Sequence, residues 1–216
     1  GVEDIRLYQN GKLLDGMARQ LVQNKKANTR TFEVNLLPGV NTFRATAFNS
    51  DRTEAVPDEI KIELKAAEAS ANLYILAVGL NEYKNASYNL NYGNADARAF
   101  ADAVAAKGKN IFKEIIPKVM FDAEASRAGI KAAFDDIIKR ARPEDVFVFF
   151  WAGHGTMSEG TAKTAADFYL VPYDVVSIFG DSGNLVAKGI GATELREMSR
   201  KIRALKQLIV IDACQS

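Results

Sequence analysis

The chain has 216 residues, 48% of them hydrophobic and 25% charged, with a formal net charge of +1. These values are typical of a globular protein with room for one large core, or for one core plus a small module. The near-neutral charge provides no basic face, so we do not expect a nucleic-acid partner. The apolar runs fall far short of the roughly 20 residues that span a bilayer, and no signal peptide opens the chain, so we expect no membrane span and a cytoplasmic location.

Residues 1–64 alternate apolar and polar side chains with the period of a β-strand. Strands are predicted around residues 2–7, 32–34, 43–47 and 60–64, separated by turn signals at 10–11, 38–39 and 49–51. Residues 37–49 resemble the paired strands near the end of bacterial immunoglobulin-like domains. Because such sandwiches carry about seven strands, we predict a partial immunoglobulin-like β-sandwich that serves as a spacer or docking module without chemistry.

Residues 65–71 are small and polar, which predicts a linker before a second domain at 72–216. In that domain strands alternate with helices, which predicts an α/β fold with a mostly parallel sheet flanked by helices. The predicted strands are 73–80, 114–120, 146–151 and 208–211, and the predicted helices start at Asn94, Ser126 and Thr193. Pro117 indicates that the second of these strands lies at an edge of the sheet.

The sequence contains one histidine and one cysteine, and each follows an apolar strand. His154 comes shortly after 146–151, and Cys214 comes shortly after 208–211. If the two strands are parallel neighbours, imidazole and thiol emerge side by side at the carboxyl edge of the sheet, where ligands bind in open α/β sheets. An imidazole promotes the thiolate and can protonate the leaving amine, so we expect Cys214 as nucleophile and His154 as general acid/base. The alternative is a buried structural cysteine and a hydrogen-bonded surface histidine.

Four segments carry a family resemblance: LAVGLNEY (76–83), LNYGNADA (90–97), FFWAGHG (149–155) and IVIDACQS (209–216). Together they resemble the catalytic domain of caspase-like cysteine peptidases, and the bacterial, metacaspase-type members more than animal caspases. The resemblance covers about residues 72–216, the large-subunit portion of that domain. It implies a caspase-like fold, a dyad of Cys214 and His154, and an oxyanion hole formed by the backbone N–H groups of Gly155 and Cys214.

Two aspartates are candidates for substrate recognition. Asp212 precedes Cys214 by two residues, and Asp96 lies in the first turn of the helix that follows the first strand. In metacaspase-type relatives, aspartates at these motif positions hold the arginine or lysine that precedes the scissile bond. Animal caspases use arginines near these motifs to bind aspartate, and no arginine adjoins His154 or Cys214 here. We therefore expect cleavage after Arg or Lys, the alternative for Asp96 being a charge that stabilises the helix dipole.

The resemblance implies no cofactor, although some metacaspases depend on calcium. Asp167, Asp174 and Asp181 could bind that ion. Their spacing matches no compact calcium-binding loop, so solvated loop charges are the preferred interpretation, and we expect no metal site.

Residues 208–211 are apolar on both faces, as in an interior strand, which needs a hydrogen-bonded neighbour on each side. The resembling family supplies further strands in a small subunit, so we expect a companion fragment or chain and a protein or peptide substrate. The expected function is a cysteine endopeptidase. The alternatives are a catalytically silent caspase-like scaffold that binds partners, and an esterase or amidase on a similar sheet.

Overall fold

The computed structural model describes residues 2–14, 18–24, 27–65, 71–158, 166–178 and 182–213. The chain divides into two compact units, residues 1–69 and 70–216. Within the described ranges, no helix has both the length and the apolar character needed to cross a lipid bilayer.

The first unit is built from antiparallel strands. They are β1 (Val2–Gln9), β2 (Lys12–Leu13), β3 (Ala18–Asn24), β4 (Ala27–Phe32), β5 (Gly39–Asn49) and β6 (Asp58–Leu64). One sheet has the strand order β2-β1-β5-β6, and β3 pairs with β4 separately. The predicted turn between β1 and β2 is confirmed, because Asn10 and Gly11 have φ values of 50° and 84°, the signs that a tight two-residue hairpin turn requires.

Two details of the first unit differ from the predicted strands. The strand predicted at 32–34 is β4, which ends at Phe32. The strand β3 was not predicted, and its pairing with β4 shifts register between Arg19 and Val22, which interrupts the strand alternation. The immunoglobulin-like topology of this unit stays a prediction.

The second unit alternates strands and helices. In chain order it contains β7 (Leu73–Gly79), α1 (Gly93–Gly108), β8 (Ile115–Phe121), α2 (Arg127–Arg140), β9 (Val146–Ala152), β10 (Gly155–Met157), β11 (Phe168–Leu170), α3 (Ser182–Lys188), β12 (Ile190–Gly191), α4 (Ala192–Lys201) and β13 (Lys206–Asp212). A four-stranded sheet has the order β13-β9-β7-β8, and all its pairs are parallel. This confirms the predicted α/β fold. Strands β10, β11 and β12 form a small antiparallel sheet that was not predicted.

Helices cover both faces of the parallel sheet. On one face Leu76 and Val78 of β7 join a core with Phe134 of α2 and Met198 of α4. On the other face Ile75 and Ala77 join a second core, to which α1 contributes Ala97 and Ala101. Burial on both faces explains why β7 is apolar throughout, as expected for a central parallel strand.

The helix starts were predicted with mixed success. Ser126 caps α2 as predicted, since its hydroxyl accepts a hydrogen bond from the Gly129 N–H at 3.2 Å. The predicted Asn94 cap is wrong because α1 begins at Gly93, and the Asn94 amide instead donates to the Asp122 carboxylate at 2.8 Å. Helix α4 begins at Ala192, one residue before the predicted start.

Of the two strands at the edges of the parallel sheet, one was predicted to be an edge strand and the other was not. Strand β8, which contains Pro117, is an edge strand as predicted. Strand β13 was expected in the interior, but among the described residues it pairs with β9 alone. Leu208, Ile209 and Ile211 are therefore 52%, 37% and 41% exposed. The apolar composition of β13 predicted that these side chains would be buried, but the described residues do not cover them.

Candidate active site

The register of the parallel sheet aligns the carboxyl ends of three strands. Gly79 of β7 and Asp212 of β13 both lie opposite Ala152 of β9. Beyond the strand ends, the Gly153 N–H donates to the Asp212 carbonyl at 3.2 Å. The segments that lead to His154 and Ala213 therefore leave the sheet side by side, as predicted. Cys214 itself lies outside the described residues, and Ala213 is the described residue before it.

Gly155 allows the histidine segment to approach the end of β13. A Cβ atom at Gly155 would lie 3.1 Å from the Ala213 Cβ and 2.5 Å from the Phe168 Cζ. The second distance is shorter than two non-bonded carbon atoms can approach, so a side chain at this position would force Phe168 or the backbone to move. The glycine therefore permits close packing between the residue after His154 and the residue before Cys214.

The half-buried His154 is anchored at both backbone groups and at its ring. Its N–H donates to the Tyr83 hydroxyl at 2.9 Å, and its carbonyl accepts from the Val171 N–H at 3.1 Å. The ring Nε2 lies 2.8 Å from the Tyr88 carbonyl oxygen. The imidazole also contacts the Tyr83 ring, with centroids 5.2 Å apart. These contacts fix both the position and the orientation of the imidazole.

The contact with Tyr88 determines the tautomer of His154. A backbone carbonyl only accepts hydrogen bonds, so Nε2 must carry the proton. In the neutral imidazole, Nδ1 then has the lone pair and is the nitrogen that can take up a proton.

The loop that presents the Tyr88 carbonyl is itself held in place. Residues Ala86–Tyr88 form a short 3-10 turn, capped by Asn85, whose side chain accepts from the Ser87 N–H. The Asn85 amide donates to the Val176 carbonyl at 2.9 Å, and the Tyr88 hydroxyl accepts from the Ile178 N–H at 3.2 Å. The carbonyl that orients His154 therefore belongs to a loop tied to the segment before α3.

Tyr83 is buried next to the histidine backbone. It is 4% exposed, and burial raises the pKa of its phenol to about 12, although the hydrogen bond from the His154 N–H acts in the opposite direction. The hydroxyl is therefore neutral at physiological pH. Gly153 provides the space for it, since a Cβ there would lie 2.9 Å from the Tyr83 hydroxyl oxygen.

The Gly155 N–H is directed away from its partner strand. Gly155 lies opposite Leu170 in the antiparallel pair β10–β11, and the Val171 N–H donates to the preceding carbonyl, that of His154. Because hydrogen-bonded and non-hydrogen-bonded pairs alternate in such a ladder, Gly155 occupies a non-hydrogen-bonded position and its N–H points away from β11. The role of this N–H in an oxyanion hole stays a prediction. The other predicted donor, the N–H of Cys214, lies outside the described residues.

Asp96 and Asp212 are both exposed at the carboxyl edge of the sheet. Asp212 ends β13, and Asp96 lies in the first turn of α1. The start of α1 rests on the strand ends, because a Cβ at Gly93 would lie 2.5 Å from the Leu80 carbonyl oxygen and 2.9 Å from that of Ala152. The role of the two aspartates in substrate binding stays a prediction.

Sequence reasoning missed Tyr83, Tyr88 and Asp122. The Asp122 carboxylate accepts from the N–H groups of Asn81 and Glu82 at 2.8 and 2.9 Å, and from the side chain of Asn94. It thereby joins the end of β8 to the loop that carries both tyrosines. Tyr83 lies in one of the four segments that carry the family resemblance, but nothing in the pattern indicates its hydrogen bond.

The acidic residues considered for calcium have protein partners where they are described. Asp174 accepts from the Arg127 N–H at 2.9 Å and pairs with Lys188 at 3.5 Å, so it is not simply a solvated charge. Asp167 accepts from the Phe168 N–H at 2.9 Å. Asp181 lies outside the described residues. Within the described part of the chain, no three His, Cys, Asp or Glu residues are grouped to hold a metal ion.

Comparisons with solved structures and with protein-family profiles agree with this architecture. No curated protein matches the chain. The crystal structure of protein GSU0716 from Geobacter sulfurreducens has a similar fold, with a TM-score of 0.52 and 22% sequence identity over 66% of this chain and 50% of that one. The chain thus spans half the length of that protein. The sequence profile of the caspase domain matches residues 73–216, so the chain belongs to the caspase-domain family.

Proposed function

We propose that the chain is the part of a cysteine endopeptidase that carries the nucleophile Cys214 and the general acid/base His154, and that it cleaves after arginine or lysine. The observation that carries the proposal is the alignment of Ala152 with Asp212 at the ends of neighbouring parallel strands. The close approach of Gly155 to Ala213 supports it, because the histidine and cysteine segments pack together just beyond that alignment.

The proposed reaction starts with transfer of the thiol proton of Cys214 to Nδ1 of His154. The thiolate attacks the scissile carbonyl carbon, and the N–H groups of Gly155 and Cys214 stabilise the oxyanion. When the C–N bond breaks, the imidazolium protonates the leaving amine and a thioester remains on Cys214. Water activated by His154 then hydrolyses the thioester and regenerates the thiol.

The specificity proposal rests on the charge of the carboxyl edge. Asp96 and Asp212 place two exposed carboxylates at this edge. A guanidinium or ammonium group can form charge-assisted hydrogen bonds with them, and the planar guanidinium can do so in bidentate geometry. We therefore expect arginine to be preferred over lysine before the scissile bond.

We also propose that a companion segment or chain pairs with the outer edge of β13. The exposed aliphatic side chains of Leu208, Ile209 and Ile211 support this proposal, since an exposed apolar edge strand promotes aggregation. Intact-mass measurement and native size determination test it. A stable complex or a longer mature chain is expected, and a monomer of the mass of residues 1–216 with no companion contradicts it.

The function is tested by hydrolysis of an arginyl reporter peptide with the full-length protein. Activity is expected, together with its loss in Cys214→Ala and His154→Ala. Asp102→Asn is the matched control for a substitution at Asp96, because Asp102 is an exposed aspartate on the same helix. Absence of both turnover and labelling of Cys214 by an arginyl electrophile would favour the scaffold alternative. Turnover of small esters without turnover of peptides would favour an esterase.

A further inference from the structure

We propose that Tyr83 is a positioning residue whose hydroxyl fixes the backbone of His154 and thereby orients its imidazole for the proposed reaction. The proposal rests on the proposed function. It concerns the 2.9 Å hydrogen bond from the His154 N–H to the Tyr83 hydroxyl oxygen. The bond joins residues that are 71 positions apart in the chain.

Among the described residues, the loop after β7 supplies two of the hydrogen bonds that hold His154. The Tyr83 hydroxyl accepts a hydrogen bond from the His154 N–H, and the Tyr88 carbonyl accepts one from the His154 Nε2. A further bond, from the Val171 N–H to the His154 carbonyl, comes from a different segment of the chain. The imidazole is therefore positioned by a loop that contains neither His154 nor Cys214. Asp122 in turn anchors the start of this loop through the N–H groups of Asn81 and Glu82.

The surroundings of the hydroxyl are built for this contact. Its oxygen occupies the space that a side chain at Gly153 would need, with Leu80 Cδ1 and Trp151 Nε1 also within 3.1 and 3.3 Å of that Cβ position. The Trp151 Nε1 is buried without a hydrogen-bond partner among the described residues. Loss of the hydroxyl would remove the acceptor of the His154 N–H in a place where the neighbouring side chains of Leu80 and Trp151 contain no acceptor group.

The hydrogen bond to the His154 N–H gives Tyr83 a positioning role and not a role in proton transfer. The hydroxyl binds the backbone N–H of His154 and not a ring nitrogen, so it does not lie on a proton path through the imidazole. Its high pKa of about 12 agrees with a group that stays protonated throughout catalysis. Tyr83 acts through His154, and its removal should alter turnover more than substrate binding.

The test compares Tyr83→Phe with the control Tyr74→Phe in the full-length protein. Both variants lose one phenolic hydroxyl from a side chain that is 4% exposed, but Tyr74 lies near the start of β7, at the end of the strand opposite the candidate site. We expect kcat per titrated Cys214 to fall about 10- to 100-fold in Tyr83→Phe, with KM changed less than about twofold, because small misplacement of a reacting group has effects of this size. Tyr74→Phe should stay within about twofold of the wild type.

A second variant, Gly153→Ala, and the amide resonance of His154 test the role of Tyr83 independently. Gly153→Ala should reproduce the loss of kcat with Tyr83 intact, since the added Cβ displaces the hydroxyl, and it serves if Tyr83→Phe does not fold. The amide proton resonance of His154 should move upfield in Tyr83→Phe but not in Tyr74→Phe. An active wild type with unchanged kcat in Tyr83→Phe overturns the role of Tyr83 alone, and so does an unmoved amide resonance. An inactive wild type contradicts the proposed function instead, and the amide resonance then decides whether the hydrogen bond exists.

Discussion

The imidazole Nε2 of His154 lies 2.8 Å from the backbone carbonyl oxygen of Tyr88. This contact assigns the Nε2 proton and leaves Nδ1 as the basic nitrogen. It also makes the protonated nitrogen of His154 depend on the loop between β7 and α1, and not only on the strand that His154 follows.

The first prediction concerns this tautomer. Nitrogen-15 NMR of the protein should show that neutral His154 is protonated at Nε2 and carries a lone pair at Nδ1. Residues 1–216 contain a single histidine, which simplifies the assignment. A neutral imidazole protonated mainly at Nδ1 would contradict the contact between Nε2 and the Tyr88 carbonyl.

The second prediction concerns Gly155. Gly155→Ala should destabilise the protein by about 1–3 kcal/mol, because the added Cβ overlaps the Phe168 ring and contacts Ala213. Activity should fall as well, since the displaced backbone carries the proposed oxyanion donor. Urea unfolding and reporter hydrolysis measure the two effects. Addition of Phe168→Leu should recover part of the stability, and no recovery would indicate that the overlap with Phe168 is not the cause.

The third prediction concerns Asp96 and Asp212. Asn at either position should lower kcat/KM for an arginyl reporter by about 10- to 100-fold, the effect expected when a hydrogen bond to a charged group loses its charge. The control Asp102→Asn should leave kcat/KM unchanged. An equal effect of all three substitutions would point to the general field of the protein rather than to a binding pocket.

The fourth prediction concerns the buried carboxylate of Asp145. Burial raises the pKa of this carboxyl, but hydrogen bonds from the Arg142 side chain and from the Asn72 and Arg142 N–H groups outweigh that effect, so its pKa lies below the usual value. A carboxyl with a lowered pKa in the folded state stabilises the fold above its unfolded pKa of about 3.9, and this contribution is lost as the pH falls through the folded pKa.

Asp145→Asn should therefore reduce the free energy of unfolding at pH 7 and weaken its decrease between about pH 5 and pH 2. Asp145→Ala should cost about 1–3 kcal/mol, because the Asn72 and Arg142 N–H groups lose their acceptor, whereas the Arg142 side chain is exposed enough to be hydrated. Urea unfolding across this pH range provides the measurement. The same pH dependence in Asp145→Asn as in the wild type would exclude Asp145 as a source of acid sensitivity.

The sheet and its carboxyl edge were predictable because each depends on a local pattern. Continuous apolar runs such as β7 and β9 indicate buried parallel strands, and the residues that follow them must lie at one edge if the strands are neighbours. Pro117 identified the edge strand β8 for an equally local reason, since proline cannot donate to a strand on that side.

The rest depends on contacts between distant segments. Asn94 has the chemistry of a helix cap, but a carboxylate at the end of β8 binds its side chain instead. The anchors of His154 among the described residues come from Tyr83, Tyr88 and Val171, and none of these hydrogen bonds leaves a periodic signal in the sequence. The strands β10 and β12 have three and two residues, too few for a recognisable alternation.

The most direct test of the account is the pH dependence of Cys214 alkylation in the wild type and in His154→Ala. If the thiol and Nδ1 of His154 share a proton, the apparent pKa of Cys214 should lie well below the ordinary thiol value of about 8.5 in the wild type and return toward it in the variant. The same apparent pKa near 8.5 in both proteins would contradict a catalytic pair of Cys214 and His154.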